Sequence, residues 1–360
     1  MKKSKIDTVN RFLHFYTRFF GNLKDVNSLN AERDFGSIVI YSSTALGDLM
    51  FNTPAIHALK KRYPNAKFTL VSSDKNRHLV MDSRYFDKVI YWDNKVKDIF
   101  SLVARLRKMK PELSVILHSY IPYDVLSAVL SGSQYIIRDN YSCDGEHMNH
   151  WVYCHRGHYD GHLIQRKLDL LKVIGCDNQD THMHIPVRFN SLPRIANKTL
   201  VGFQMGASEA LRCWPKERFV SLARKLFSAD DRYHVVLIGS AKEKELERQF
   251  LAALSPEERQ RVTCHIGKTT LPQLLGIIQQ LDVLITGDTG PLHLAVALQT
   301  RTVSLFYTAN PQHTGPYQDP ELHRIIYIDP DDNKTSLDMD FPLEVIAVDR
   351  VYHLLREILS

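Results

Sequence analysis

A chain of 360 residues is too long for one ordinary core, and 44% hydrophobic with 24% charged residues is a globular composition rather than a disordered one. The surplus of +6 is concentrated at the start, where Lys2, Lys3, Lys5, Arg11, Arg18 and Lys24 face only Asp7 and Asp25; the near-neutral remainder excludes a general nucleic-acid-binding field. Five scattered cysteines (Cys143, Cys154, Cys176, Cys213 and Cys264) fit a reducing compartment better than a disulfide framework.

The first segment reads as a basic amphipathic helix. Val9, Phe12, Leu13, Tyr16, Phe19, Phe20 and Leu23 recur at three- and four-residue steps. Two uses are open: lying on an anionic membrane surface or lipid-bearing substrate, or docking on its own domain or a partner. Arg11, His14 and Arg18 interrupt the apolar run, so no secretory signal is read. No run of about 18 apolar residues offers a membrane span, and a cytoplasmic location is expected.

From Ser37 a strand–helix alternation begins, with strands at Ser37–Ser42, Phe68–Ser72, Lys88–Trp92, Ser114–His118 and Tyr135–Ile137. This predicts a doubly wound parallel sheet. A polar, Pro-bearing stretch at 188–198 reads as a linker. A second series follows, with strands at Leu200–Gln204, His234–Ile238, Val262–Ile266, Val283–Thr286 and Thr302–Phe306. The expected architecture is α/β, two Rossmann-like domains across a cleft, with Pro342–Leu359 a helix returning to the first domain.

Two strand ends carry unusual chemistry. At Ser42–Asp48, small and hydroxylated residues lead into a helix, and Gly47 permits close backbone approach. Asp48 is either the helix N-cap or a general base for a sugar hydroxyl. At Thr286-Gly287-Asp288-Thr289-Gly290-Pro291, a buried strand ends in a tight turn and Pro291 takes an early helix position. The exposed N–H groups of that turn and the helix dipole form an anion site suited to a nucleotide diphosphate. Asp288 suits sugar hydroxyls, and His293 reads either as a core histidine or as part of the site. Neither the dinucleotide fingerprint nor the P-loop is present, which argues against dehydrogenase and NTPase readings.

In the third loop, Gly206–Pro215, Arg212 is placed to clamp phosphate, whereas Trp214-Pro215 reads as structural. A Cys/His-rich stretch (Cys143, His147, His150, Cys154, His155, His158 and His162) offers zinc-type ligands without zinc-finger spacing. An acceptor contact or no special role is preferred there, and no metal site is assigned.

Leu46-Gly47-Asp48, the Gly206–Pro215 loop, Asp288–Ala295 and the run Phe306–Pro316 together resemble the heptosyltransferases of glycosyltransferase family 9. The resemblance covers roughly residues 37–355. It implies a GT-B fold and metal-independent, inverting transfer of heptose from ADP-heptose to the inner core (Kdo or heptose) of lipopolysaccharide. The donor is a substrate, and no cofactor is implied. It further implies an acceptor-binding domain at 37–187 and a nucleotide-sugar-binding domain at 199–340, flanked by the extension 1–36 and the helix 341–360. Carried over by position, Asp48 is the base and Asp288 the sugar contact. Thr289 and Gly290 meet the diphosphate with Ser208 nearby. Glu243 holds the ribose, and Thr269 meets adenine. The family often has Lys where this chain has Arg212, and Lys216 is a second phosphate candidate. Gly47, Lys75 and Arg77 are acceptor candidates by position. A lipid A–core acceptor and contact with the cytoplasmic face of the inner membrane follow. Rival expectations are a nucleotide-sugar epimerase, another donor sugar, or a non-catalytic nucleotide-sugar-binding protein.

Overall fold

Short runs of Val, Ile and Leu buried on both faces are the mark of central parallel strands. SIVIYS is such a run: every residue after Ser37 is buried. The computed structural model describes residues 2–140, 148–155, 159–330 and 340–360, in two units, Met1–Val187 and Arg188–Ser360.

The first unit opens with α1 (Lys2–Phe20). It continues β1 (Ser37–Ser42), α2 (Leu46–Arg62), β2 (Lys67–Ser72), α3 (Arg77–Val80), β3 (Lys88–Tyr91) and α4 (Ile99–Arg107). Then come β4 (Leu113–His118), α5 (Tyr123–Leu130), β5 (Tyr135–Arg138) and α6 (Leu163–Leu171). The strands pair in parallel in the order β3-β2-β1-β4-β5. The chain runs outward from β1 to β3 and then crosses to β4. The C-terminal ends of β1 and β4 therefore mark the topological switch point, where such sheets bind ligands.

The second unit runs β6 (Thr199–Gln204), α7 (Lys216–Ala229), β7 (Tyr233–Ile238), α8 (Lys244–Ala252), α9 (Pro256–Arg259) and β8 (Val262–Cys264). It continues α10 (Leu271–Gln280), β9 (Val283–Gly287), α11 (Gly290–Ala297), β10 (Thr302–Phe306), α12 (Pro311–Thr314), β11 (His323–Tyr327) and α13 (Val348–Leu359). Its order is β11-β10-β9-β6-β7-β8, all parallel, so β6 and β9 flank its switch point. Strand β11 was not foreseen in the sequence. HRIIY is an edge strand with Ile325 exposed and Arg324 half-buried, so it lacks a two-sided apolar run. Within 188–198, Ser191 Oγ donates to Gln279 Oε1 (2.6 Å) and Arg194 pairs with Asp282 (2.5 Å), so this segment is fastened to the second unit.

The two terminal helices are placed by what they pack against. The C-terminal helix belongs to the second unit. Its stripe Val351, Tyr352, Leu355 and Ile358 is buried in the second unit's own core, and α13 packs on α7. The apolar residues of α1 do not share one face. Ile6, Val9 and Leu13 are buried in the first unit's core, while Phe12, Phe15, Phe19 and Phe20 are 46%, 65%, 62% and 69% exposed. The helix is docked on its own unit and still presents a second apolar face of Phe12, Phe15 and Phe19, while Phe20 extends the docked stripe at the helix end.

Candidate active site

In the first unit the switch point is lined by hydroxyls and amides. Ser43 Oγ lies 2.7 Å from Ser119 Oγ and 3.0 Å from Asn94 Oδ1, and Asn94 donates back to the Ser43 carbonyl. This polar lattice fixes the loop into α2. Asp48 is not its N-cap; Ala45 is, and Asp48 sits at the third helical position. From there Asp48 Oδ2 accepts the Ala45 N–H at 3.1 Å, the carboxylate half of a capping box. Oδ1 faces His118 Nδ1 at 3.6 Å, at the end of the neighbouring strand β4. Gly47 is half-buried one residue earlier.

His118 was not singled out from the sequence. Neither was the buried cluster beyond it, where Asp139 takes two bonds from Arg166 (2.8 and 3.0 Å) and one from Lys167 (2.5 Å). Burial raises the Asp139 carboxyl, but the two cations outweigh it and bring it down to about 2. Burial lowers Lys167, against the attraction of Asp139 and, more weakly, Asp48. The acceptor candidates divide. Lys75 is exposed, whereas Arg77 is held by Asp74 (2.9 Å) and stacked on Tyr91. A nearby cavity of about 310 Å³ is lined by Asp74, Asp93 and Asp98 with Arg105, an acidic surface unsuited to an anionic acceptor.

In the second unit one amide organises the switch point. Gln204 Oε1, at the end of β6, accepts from Thr286 Oγ1 (2.8 Å) and Thr289 Oγ1 (3.0 Å), and its Nε2 donates to the Gly206 carbonyl. Thr289 is the N-cap of α11 by position, yet its hydroxyl is spent on Gln204 and makes no cap. The Gly290 N–H is thus left without a side-chain cap, while Pro291 has no N–H and the Leu292 N–H bonds the Thr289 carbonyl at 3.1 Å. Gly287 lies under the Arg212 backbone carbonyl, which a Cβ would strike; glycine lets the loop cross here. Arg212 then reaches Asp288 Oδ2 at 3.5 Å, and His293 Nε2 lies 3.7 Å from Asp288 Oδ1. Arg212, Asp288, Thr289, Gly290 and His293 are therefore one constellation.

Glu243 adjoins it through the glycines. A Cβ on Gly206 would come within 2.6 Å of the Glu243 carboxyl carbon, and one on Gly239 would strike Oε2. Oε1 accepts from the Ser240 N–H and hydroxyl, both at 3.0 Å, while the shielded Oε2 has no hydrogen-bond partner among the described residues. Ser208 is exposed on the same loop as Arg212. Lys216, first in α7, is bound to Glu217 at 2.9 Å. Thr269 is half-buried before Thr270, the N-cap of α10. Trp214 is buried, donates to the Ile346 carbonyl and packs on Phe219, a structural task.

The Cys/His-rich stretch separates into individual roles. Cys143, His147 and His158 lie outside the described residues. His150 packs against Trp151 beside His14 of α1, His155 contacts the Arg166 carbonyl, and His162 caps α6. Cys154 is buried.

Comparison with known proteins gives the family and the fold. The sequence profile described as glycosyltransferase family 9 (heptosyltransferase) matches residues 148–334, more than half of the chain. The chain belongs to glycosyltransferase family 9. Lipopolysaccharide heptosyltransferase 2 of Escherichia coli is 33% identical over 128 residues, 35% of this chain and 36% of that protein. The match thus spans about a third of that relative's length. Lipooligosaccharide heptosyltransferase 2 of Campylobacter jejuni is 25% identical over 299 residues, 81% of this chain and 87% of the relative. The solved structure of Escherichia coli ADP-heptose lps heptosyltransferase II superposes with a TM-score of 0.69 at 21% identity, covering 90% of this chain and all of that one. The two parallel-sheet units therefore have the GT-B fold of that structure.

In this family 9 chain, burial, against the opposing pull of Asp48, pushes the His118 imidazole down to about 4. At neutral pH the contact with Asp48 is not an ion pair. Because the folded value is depressed, the unfolded chain takes up this proton first, below about 6.5. The fold therefore loses stability to this group as pH falls from about 6.5 to about 4, and none above. Imidazole resonances followed by NMR should show His118 titrating near 4; a midpoint near 6.5 contradicts this account.

Proposed function

We propose that the chain transfers heptose from ADP-heptose to the inner core of lipopolysaccharide, with inversion at the anomeric carbon and no metal at the reacting atoms. The observation that carries this reading is the uncapped start of α11 beside Arg212 and Asp288. The Gly290 N–H at a helix N-terminus and a guanidinium suit a leaving diphosphate, while a carboxylate suits the sugar hydroxyls. The names of the relatives support the donor and acceptor classes.

In this scheme Gly290, Thr289, Arg212, Ser208 and Lys216 hold the diphosphate. Glu243 Oε2 accepts from the ribose hydroxyls, and the backbone near Thr269 meets adenine. Asp288, oriented by Arg212 and His293, holds the heptose. Asp48 removes the proton from the acceptor hydroxyl as its oxygen attacks the anomeric carbon. The bond from that carbon to the phosphate oxygen breaks, and its electron pair leaves on ADP. Arg212 and the helix start then stabilise the charge that develops on ADP, the task a metal performs elsewhere. Gly47 and Lys75 remain acceptor contacts. Arg77 is less suited, because Asp74 already neutralises it.

The acceptor carries a lipid, and the second face of α1 fits that. Four exposed Phe side chains lie on a helix that also bears Lys3, Lys5, Arg11 and Arg18. This combination suits the anionic cytoplasmic face of the inner membrane. Among the described residues no helix is long and apolar enough to cross a membrane, so contact would be peripheral.

Two outcomes are expected. Asp48→Asn should lower kcat by about 10²–10⁴ with little change in the KM for ADP-heptose, because only base catalysis is removed. Near-wild-type turnover in that variant contradicts the assignment. Sedimentation with vesicles of anionic phospholipid should show Phe15→Ser/Phe19→Ser binding at least about tenfold more weakly, since burying a Phe is worth roughly 1.5–3 kcal/mol. Equal sedimentation contradicts the membrane role of α1.

A further inference from the structure

We infer that His57, Asp180 and His184 form a site for a zinc-class divalent ion that fastens the segment 176–187 to α2. It lies in the first unit and does not rest on the transferase reading. His57 is nine residues along α2 from Asp48, about 14 Å of helix. The ion would therefore act on the fold rather than on the reacting atoms.

The placement begins with a proline. Pro54 inside α2 leaves the Met50 carbonyl without its usual helical donor. Thr53 Oγ1 donates to that carbonyl at 2.7 Å and accepts the His184 N–H at 3.0 Å. Thr53 and His57 share one helix face, four residues apart. Anchoring His184 at Thr53 lays its ring on His57, with centroids 4.1 Å apart. Asp180 completes the group: one ligand atom from each of the three residues lies within 4.8 Å of the others. Tetrahedral bonds of about 2.0–2.1 Å put ligand atoms roughly 3.3 Å apart, a contraction that side-chain rotation supplies.

His184 Nε2 is shielded from solvent and has no hydrogen-bond partner among the described residues. A buried ring nitrogen left so is costly unless something takes it. Asp180 is held by two hydrogen bonds from His182. Those bonds, from the His182 N–H (3.2 Å) and Nδ1 (2.9 Å), both fall on Oδ1 and orient the carboxylate as an outer-shell partner does. Two imidazoles and one carboxylate favour zinc over magnesium or calcium, which prefer all-oxygen sites. The sequence signal is the alternation Asp180-Thr181-His182-Met183-His184.

The test uses the full chain, stripped with chelator and titrated with zinc chloride by calorimetry. Cobalt(II) absorption reports geometry and thermal melts report stability. One zinc per chain is expected, with tetrahedral cobalt bands and a Tm raised by several degrees. His57→Gln, Asp180→Asn and His184→Gln should each weaken zinc by more than about a hundredfold. His182→Ala should weaken it about ten- to a hundredfold, and His14→Gln and Cys154→Ser should leave it unchanged. If His184→Gln does not fold, His57→Gln carries the same comparison. Absence of zinc binding, wild-type affinity in His57→Gln, or equally tight magnesium binding overturns the proposal.

Discussion

The second unit's site depends on the Gln204 side-chain amide. Its oxygen gathers the hydroxyls of Thr286 and Thr289, and its nitrogen holds the Gly206 carbonyl. Three consequences follow from this one placement. The Thr289 hydroxyl is taken away from its capping duty, so the start of α11 is left open to an anion. The loop bearing Arg212 is drawn over Gly287, where a side chain would block it. Arg212 and Asp288 are thereby brought within 3.5 Å of each other. A buried amide hydrogen-bonded through both its oxygen and its nitrogen is rigid, and a rigid donor site gives electrostatic stabilisation without reorganisation.

The first unit solves a related problem with charge. Asp48 serves its helix with one oxygen and faces a neutral histidine with the other. The buried cluster beyond it sets the single carboxylate of Asp139 against both Arg166 and Lys167, so positive charge is in excess there. Both sites stand at the point where strand order reverses, between β1 and β4 and between β6 and β9. The sheet topology thus selects which loops carry chemistry, and the side chains decide which chemistry.

Much of this was legible in the sequence, because parallel strands buried on both faces are continuous apolar runs. The central strands and the Asp288 turn stood out for that reason. β11 did not, since an edge strand with Arg324 and an exposed Ile325 has no such run. Periodicity identified α1 and α13 as helices but could not say what their stripes would meet; α13 stays on its own unit, and α1 has two apolar faces. Asp48 and Asp288 were visible because each sits in a local motif. His118, Gln204 and Lys167 were not, because their partners lie 70, 82 and 28 positions away in sequence. Such pairings exist only once strands are placed side by side.

The central claim is that the chain joins heptose from ADP-heptose to a lipopolysaccharide core. Mass spectrometry of heptose-deficient lipopolysaccharide, incubated with the protein and separately with ADP-heptose and other nucleotide sugars, tests it most directly. The account predicts a gain of one heptose on the core with ADP-heptose, and release of ADP only when the acceptor is present. Donor turnover without acceptor to an altered nucleotide sugar, or transfer from a different donor alone, would contradict it.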